Sequence, residues 1–195
     1  MQNSLSSCKA LVLGRNAEQV RFLTRFAERC GFALIEGADS PRVPDARTLI
    51  RFVIVHHQLG DDALEAILSS VRSGDKDIRF SPVIVIADDC PFETVLHYIQ
   101  LGVDDVISLP EKREMLIQRL STQLFNEQTY VETATYFGPD RRRLEYDQGD
   151  PRRRGMAGHG RYIVQRLPDV GTKIVSHHIF TDSGRRPDMQ VGLMG

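Results

Sequence analysis

The chain has 195 residues, 41% of them hydrophobic and 26% charged, with a formal net charge of −1. That make-up suits an ordinary globular domain with an appendage and excludes a collagen-like, disulfide-dense or strongly charged disordered chain. No stretch approaches the roughly 20 apolar residues needed to cross a bilayer, so membrane insertion is not expected. Cys8, Cys30 and Cys90 are widely spaced and form no CxxC or CxxH pattern, which argues against a disulfide framework or a zinc site and suits a reducing compartment. Met1 to Ser7 lacks the basic flank and long apolar run of an export signal. The expected location is the cytoplasm.

From Lys9 to Leu124, short apolar runs alternate with segments of helical period. Ala10 to Leu13 reads as the first strand. Ala17 to Cys30 reads as a helix, with Val20, Leu23, Ala27 and Cys30 on one stripe and Gly31 placed for a C-cap. Phe32 to Ile35 is a second strand, and Pro41 and Pro44 interrupt the chain before a short helical piece around Ala46 to Ile50. Phe52 to Val55 reads as a strand buried on both faces. Leu64, Ile67, Leu68 and Val71 form the next helical face, led by Asp61 and Asp62, which suit a helix N-terminus. Pro82 to Ile86 is another buried strand. Pro91 to Leu101 is helical, with Phe92, Val95, Leu96 and Ile99 on one side; Val106 to Ser108 is a fifth strand, and Glu111 to Leu124 a closing helix.

Strands apolar on both faces, alternating with amphipathic helices, imply a parallel sheet covered on both sides. The expectation for residues 8–125 is therefore an α/β domain with a doubly wound, five-stranded parallel sheet. Residues 126–195 differ: Gly and Pro are frequent and the long apolar periodicity is lost. Residues 138–195 hold 11 Lys+Arg against 7 Asp+Glu. Arg-rich pieces recur at Arg141-Arg142-Arg143, Arg152-Arg153-Arg154 and Arg185-Arg186. Only Tyr162 to Val164 and Lys173 to Phe180 read as strands, so the expectation is a largely irregular, extended tail with at most one short hairpin.

The stretch Leu101-Gly102-Val103-Asp104-Asp105-Val106-Ile107-Ser108-Leu109-Pro110 resembles the Gly-Ala-Asp-Asp-Tyr-hydrophobic-x-Lys-Pro phrase of bacterial response-regulator receiver domains. Ser81 to Ile86 resembles their fourth strand. The resemblance covers roughly residues 8–125 and implies a two-component signalling context, with Mg²⁺-assisted phosphoryl transfer to an aspartate. Carried across position by position, the family's acidic pair falls on Gly14 and Arg15, and its phosphoacceptor on His56. The hydroxyl residue falls on Ala87, the lysine on Leu109 and the switch aromatic on Val106. None of these types is retained. Without carboxylates there is no oxygen cage for Mg²⁺, and without metal or lysine nothing neutralises charge on a transferring phosphoryl group. The resemblance thus points to a pseudo-receiver, in which Pro110 keeps a loop shape that in the family contains a cis peptide.

His56 and His57 invite a metal site, but adjacent strand residues point to opposite faces. The two imidazoles are not expected to share an ion, and no further ligand has a defined spacing. His56 is read as a polar filler of the vacated pocket, with a pH-sensitive contact as the alternative. The acidic pairs Asp61-Asp62 and Asp88-Asp89 are read as helix capping and loop solvation rather than metal ligands. Asp104-Asp105 is read as part of the family's surface pattern. Arg15 is either an exposed loop residue or one half of an ion pair.

No phosphate loop, nucleophile elbow or metal motif is present, so no cofactor and no enzyme activity are expected. The leading reading is a phosphorylation-independent protein-interaction module. By the resemblance its contact face lies on the fourth helix, fifth strand and fifth helix, at His97, Tyr98, Gln100, Val106, Lys112 and Arg113. The alternative is an effector for cyclic di-GMP or a similar anion, held by Arg141, Arg142, Arg143, Arg152, Arg153 and Arg154, since arginine forks suit phosphate. Asp140, Glu145, Asp147 and Asp150 lie among those arginines and weaken the case for nucleic acid.

Overall fold

The computed structural model describes residues 4–37, 50–140 and 158–180. A single 3-10 turn, Ser4–Ser7, leads into β1 (Lys9–Leu13), α1 (Ala17–Cys30), β2 (Leu34–Gly37) and β3 (Arg51–His56). A second such turn, His57–Leu59, is followed by α2 (Asp61–Arg72), α3 (Lys76–Arg79), β4 (Val83–Asp88) and α4 (Phe92–Leu101). Then come β5 (Asp105–Leu109), α5 (Arg113–Ser121), β6 (Glu127–Glu132), β7 (Phe137–Pro139), β8 (His159–Leu167) and β9 (Gly171–Phe180). The helical piece expected near Ala46 falls on residues outside those described.

The first five strands form one sheet in the order β2-β1-β3-β4-β5, parallel throughout. This is the doubly wound arrangement of receiver and flavodoxin type. Side chains alternate across a strand with period two, and the two faces of this sheet divide accordingly. Phe52, Ile54, Ile84, Ile86 and Ile107 face α1 and α5 and pack with Leu23, Ala27, Leu116 and Leu120. Val53, Val55, Val83, Val85 and Val106 face the other way, against Leu64, Leu68 and Tyr98 of α2 and α4.

Local chemistry sets the helix ends. Asn16 caps α1 by accepting from the Gln19 N–H, and Gly31 ends it in the left-handed region at φ 93°, a conformation that costs glycine little. Asp61 and Asp62 occupy the first turn of α2. Phe92, expected on the inner stripe of α4, instead faces water at 69% exposure, because it is the first helical residue and lies beyond the edge of the sheet's core.

The C-terminal region carries more order among its described residues than one hairpin. β6 to β9 form an antiparallel sheet in the order β7-β6-β8-β9. β8 and β9, the two strands foreseen, do form a hairpin, but β6 pairs with β8 from Glu127↔Gln165 to Glu132↔Gly160. The sequence of β6, Glu-Gln-Thr-Tyr-Val-Glu, is too polar to signal a strand. Its order comes from tertiary contacts: Phe80, at the end of α3, inserts among Tyr130, Tyr162, Val164 and Phe137. Phe80 meets the Tyr130 and Phe137 rings edge-on at 5.2 and 5.5 Å, a favoured aromatic geometry.

Candidate functional site

The C-terminal edge of a doubly wound parallel sheet is where such folds place their chemistry. Gly14 and Arg15 follow β1, His56 ends β3, Ala87 is the penultimate residue of β4 and Leu109 ends β5. The structure therefore brings the five mapped positions to one edge. The Leu109–Pro110 peptide is cis.

At Gly14 the backbone runs close to α1: an added Cβ would lie 2.7 Å from the Gln19 Cβ. Arg15 is exposed, and among the described residues its side chain makes no ion pair. Its backbone N–H donates to Gln19 Oε1 at 2.7 Å, while Gln19 Nε2 donates to Gln58 Oε1 at 2.9 Å. The amide of Gln19 thus ties the loop after β1 to the loop after β3. His56 and Ala87 are buried. Ala87 pairs with Ser108, whose Oγ accepts from the Cys90 N–H at 3.0 Å. None of the five mapped positions supplies a carboxylate to this edge.

The two histidines overturn the argument that they must face apart. The strand ends at His56, and His57 opens a 3-10 turn, so the alternation of a strand does not extend to it. Their rings stack, with centroids 4.9 Å apart and planes 29° from parallel. Ligand atoms of His56, His57 and Asp88 lie within 4.8 Å of one another. Phe22 meets the His56 ring edge-on, and His56 Nδ1 accepts from the Gln58 N–H at 3.2 Å. Burial, then the neighbouring His57, lowers the His56 pKa from its ordinary value, with Asp88 opposing. His57 has its carbonyl bonded by the Tyr98 hydroxyl at 3.0 Å, yet its Nε2 is buried without a hydrogen-bond partner among the described residues.

The expected contact face is smaller than foreseen. Tyr98 is buried and bonded to His57, and Val106 is buried at 3% exposure in the sheet core. Neither presents a surface, because each falls on the inward phase of its element. His97, Gln100, Lys112 and Arg113 remain exposed. His97 Nε2 meets Asp61 Oδ2 at 2.9 Å, and Arg113 Nε donates to the Arg29 carbonyl at 2.7 Å. The six arginines Arg141 to Arg143 and Arg152 to Arg154 lie outside the described residues.

Sequence reasoning missed a buried polar cluster that joins the two sheets. Asp104 Oδ2 meets Arg72 at 2.6 Å and accepts from the Val83 N–H at 2.8 Å, while Oδ1 meets Arg166 at 3.2 Å. The Tyr130 hydroxyl donates to Asp104 Oδ1 and accepts from Arg166. Arg166 is fully buried and also donates to the Phe80 carbonyl at 2.8 Å and the Gln123 carbonyl at 3.0 Å. Arg72 donates to the carbonyls of Arg79 and Ser81 at 2.9 and 2.8 Å. Burial pushes the Tyr130 phenol up, so it stays a neutral donor. One signal in the sequence pointed here: Tyr162, Val164 and Arg166 share the inward phase of β8, so Arg166 sits where a period-two strand puts its core residues.

A protein-family model that matches the sequence was not found, and no curated protein matches it. The class rests on the fold: a doubly wound parallel α/β domain to which an antiparallel sheet is bonded through a buried arginine–aspartate–tyrosine cluster. Among the described residues no helix is long and apolar enough to cross a membrane.

Proposed function

We propose that the chain is a phosphorylation-independent interaction module of bacterial signalling, cytoplasmic and without enzyme activity, a pseudo-receiver whose output is binding to a protein partner. The observation that carries this reading is the edge of the parallel sheet. Its order and connections are of receiver type, yet Gly14, Arg15, His56, Ala87 and Leu109 supply no acidic cage, no hydroxyl and no lysine. Phosphoryl transfer depends almost wholly on positioning and charge neutralisation, and both are missing. The partner surface is assigned to α4 and α5, where His97, Gln100, Lys112 and Arg113 are exposed and Phe92 offers an aromatic anchor of the kind that dominates interfaces.

The test has two arms. Intact mass after incubation with acetyl phosphate and Mg²⁺ is expected to show no phosphoryl adduct; a stoichiometric adduct would overturn phosphorylation independence. A photo-crosslinker at Gln100 is expected to give a discrete protein adduct in cells that Lys112→Glu abolishes. The same probe at Glu65, exposed on α2, is expected to give none. Equal labelling from both positions refutes the assigned face.

A second reading is favoured by one observation. β7 and β8 both pair with β6, and the Asp140 N–H bonds the Thr129 carbonyl at 2.9 Å. The described residues that flank 141–157 therefore belong to one sheet, and in the sequence the two arginine triplets are separated by eight residues. Under this reading cyclic di-GMP, or another dinucleotide bearing two phosphates, is bound through the triplets. Saturable binding lost in Arg141→Ala/Arg142→Ala/Arg143→Ala supports it, and no binding by the full chain dismisses it.

A further inference from the structure

We propose that His56, His57 and Asp88 form a binding site for a transition-metal dication of the zinc, cobalt or nickel type. This assignment stands apart from the interaction reading and can fail or hold without it. The three groups are the only cluster of at least three His, Cys, Asp or Glu side chains among the described residues whose donor atoms converge, within 4.8 Å of one another. Two imidazole nitrogens are borderline ligands and the carboxylate oxygen a hard one; a set dominated by imidazole suits Zn²⁺, Co²⁺ or Ni²⁺ and not Mg²⁺, which wants an octahedron of oxygens. His56 stands at the position mapped to the phosphoacceptor, but His57 and Asp88 lie outside the five mapped positions.

Two further observations favour an ion here. The His57 Nε2 is buried with no hydrogen-bond partner among the described residues, a state that is unfavourable for a buried polar atom unless something bonds it. The cluster sits at the C-terminal edge of the parallel sheet, between the ends of β3 and β4. Ligand bonds of about 2.0–2.2 Å place tetrahedral donors roughly 3.4 Å apart. The exposed Asp88 is free to close that gap by rotating its side chain, and the remaining coordination positions stay open to water.

The other histidine pair shows why this one is distinctive. His177 and His178 lie within β9, opposite Tyr162 and Arg161 respectively, and so point to opposite faces. All six histidines of the chain, at 56, 57, 97, 159, 177 and 178, are among the described residues. The pair at 56 and 57 converges because the strand stops between them.

Capture of the ion has one local consequence. His56 Nδ1 now accepts from the Gln58 N–H at 3.2 Å. Bonding the metal through Nδ1 replaces that bond directly. Bonding through Nε2 forces the ring proton onto Nδ1, where it faces the same N–H. Either route removes the acceptor of the Gln58 amide.

The experiment titrates ZnCl₂ into the untagged, EDTA-treated full-length protein by calorimetry, and follows the Gln58 amide by ¹H–¹⁵N NMR. One Zn²⁺ per chain is expected, with a shift of the Gln58 amide on loading and no such response to MgCl₂. Asp88→Asn, at an exposed position, and His57→Gln are each expected to weaken binding at least about tenfold, the scale on which metal sites respond to loss of supporting groups. His178→Ala is expected to leave affinity unchanged. Wild-type protein that takes up no Zn²⁺, or Asp88→Asn and His57→Gln that bind as tightly as wild type, overturns the site. So does tight binding with an unmoved Gln58 amide, which places the ion elsewhere.

Discussion

Replacing Arg166 with methionine tests whether the two sheets form one cooperative unit. Arg166 donates to the Phe80 and Gln123 carbonyls, to Asp104 and to the Tyr130 hydroxyl, from a fully buried position. Methionine keeps much of the volume and removes every donor. Asp104 retains Arg72 at 2.6 Å and the Val83 N–H at 2.8 Å, so its charge is not stranded, which argues for the lower part of the range for a broken buried pair. Two carbonyls lose a donor, and each buried acceptor left unpaired costs about 1–3 kcal/mol. Removing one partner of a buried ion pair costs about 3–5 kcal/mol, and we expect a loss of that size. Against a typical domain stability of about 5–15 kcal/mol, this is a large fraction. Urea denaturation followed by far-UV circular dichroism should show a lower midpoint. Arg119→Met removes the pair with Asp105, whose partners are 38% and 21% exposed; it should cost less than about 1 kcal/mol. Equal midpoints for Arg166→Met and wild type would refute the claim that the cluster holds the sheets together.

Three further outcomes follow from named contacts. Burial alone would raise the Glu132 carboxyl, but the hydrogen bond from Tyr162 and the Arg79 guanidinium outweigh it and hold the group below its ordinary range. A depressed carboxyl binds fewer protons folded than unfolded, so its contribution is complete at neutral pH and lost as pH falls through the folded value; Glu132→Gln should flatten the acid limb of a stability–pH profile, and an unchanged limb removes Glu132 from it. Burial pushes the Cys8 thiol up to about 12 and the Cys30 thiol up to about 11, so iodoacetamide at pH 8 should label Cys90 first and the other two only with unfolding, as read by peptide mass. Gly14→Ala places a Cβ 2.7 Å from that of Gln19; overpacking of this kind costs about 1–3 kcal/mol and should lower the melting temperature, whereas an unshifted transition would show that the loop yields freely.

The sequence by itself determined the parallel domain. Apolar runs such as Phe52 to Val55 and Pro82 to Ile86 carry no alternation because both faces are buried, and the stripes of α1 and α2 repeat at helical spacing; these are local signals of global burial. Helix ends were equally legible where one residue decides them, as at Gly31. The five positions mapped by the resemblance could be placed by chain order, since each lies at or next to the end of a strand. Tertiary structure alone decided the rest. β6 is a strand because β8 and Phe80 make it one. Asp104 looked like one of several surface acids, yet it is buried between Arg72 of the first domain and Arg166 of the second sheet, partners 32 and 62 residues away. His56 and His57 were expected to diverge because strand alternation was applied one residue too far; the strand ends between them, and the rings stack. Periodicity reports which face a residue takes within an element. It does not report where the element stops or which distant side chain meets it, and those two facts set the polar cluster and the histidine pair.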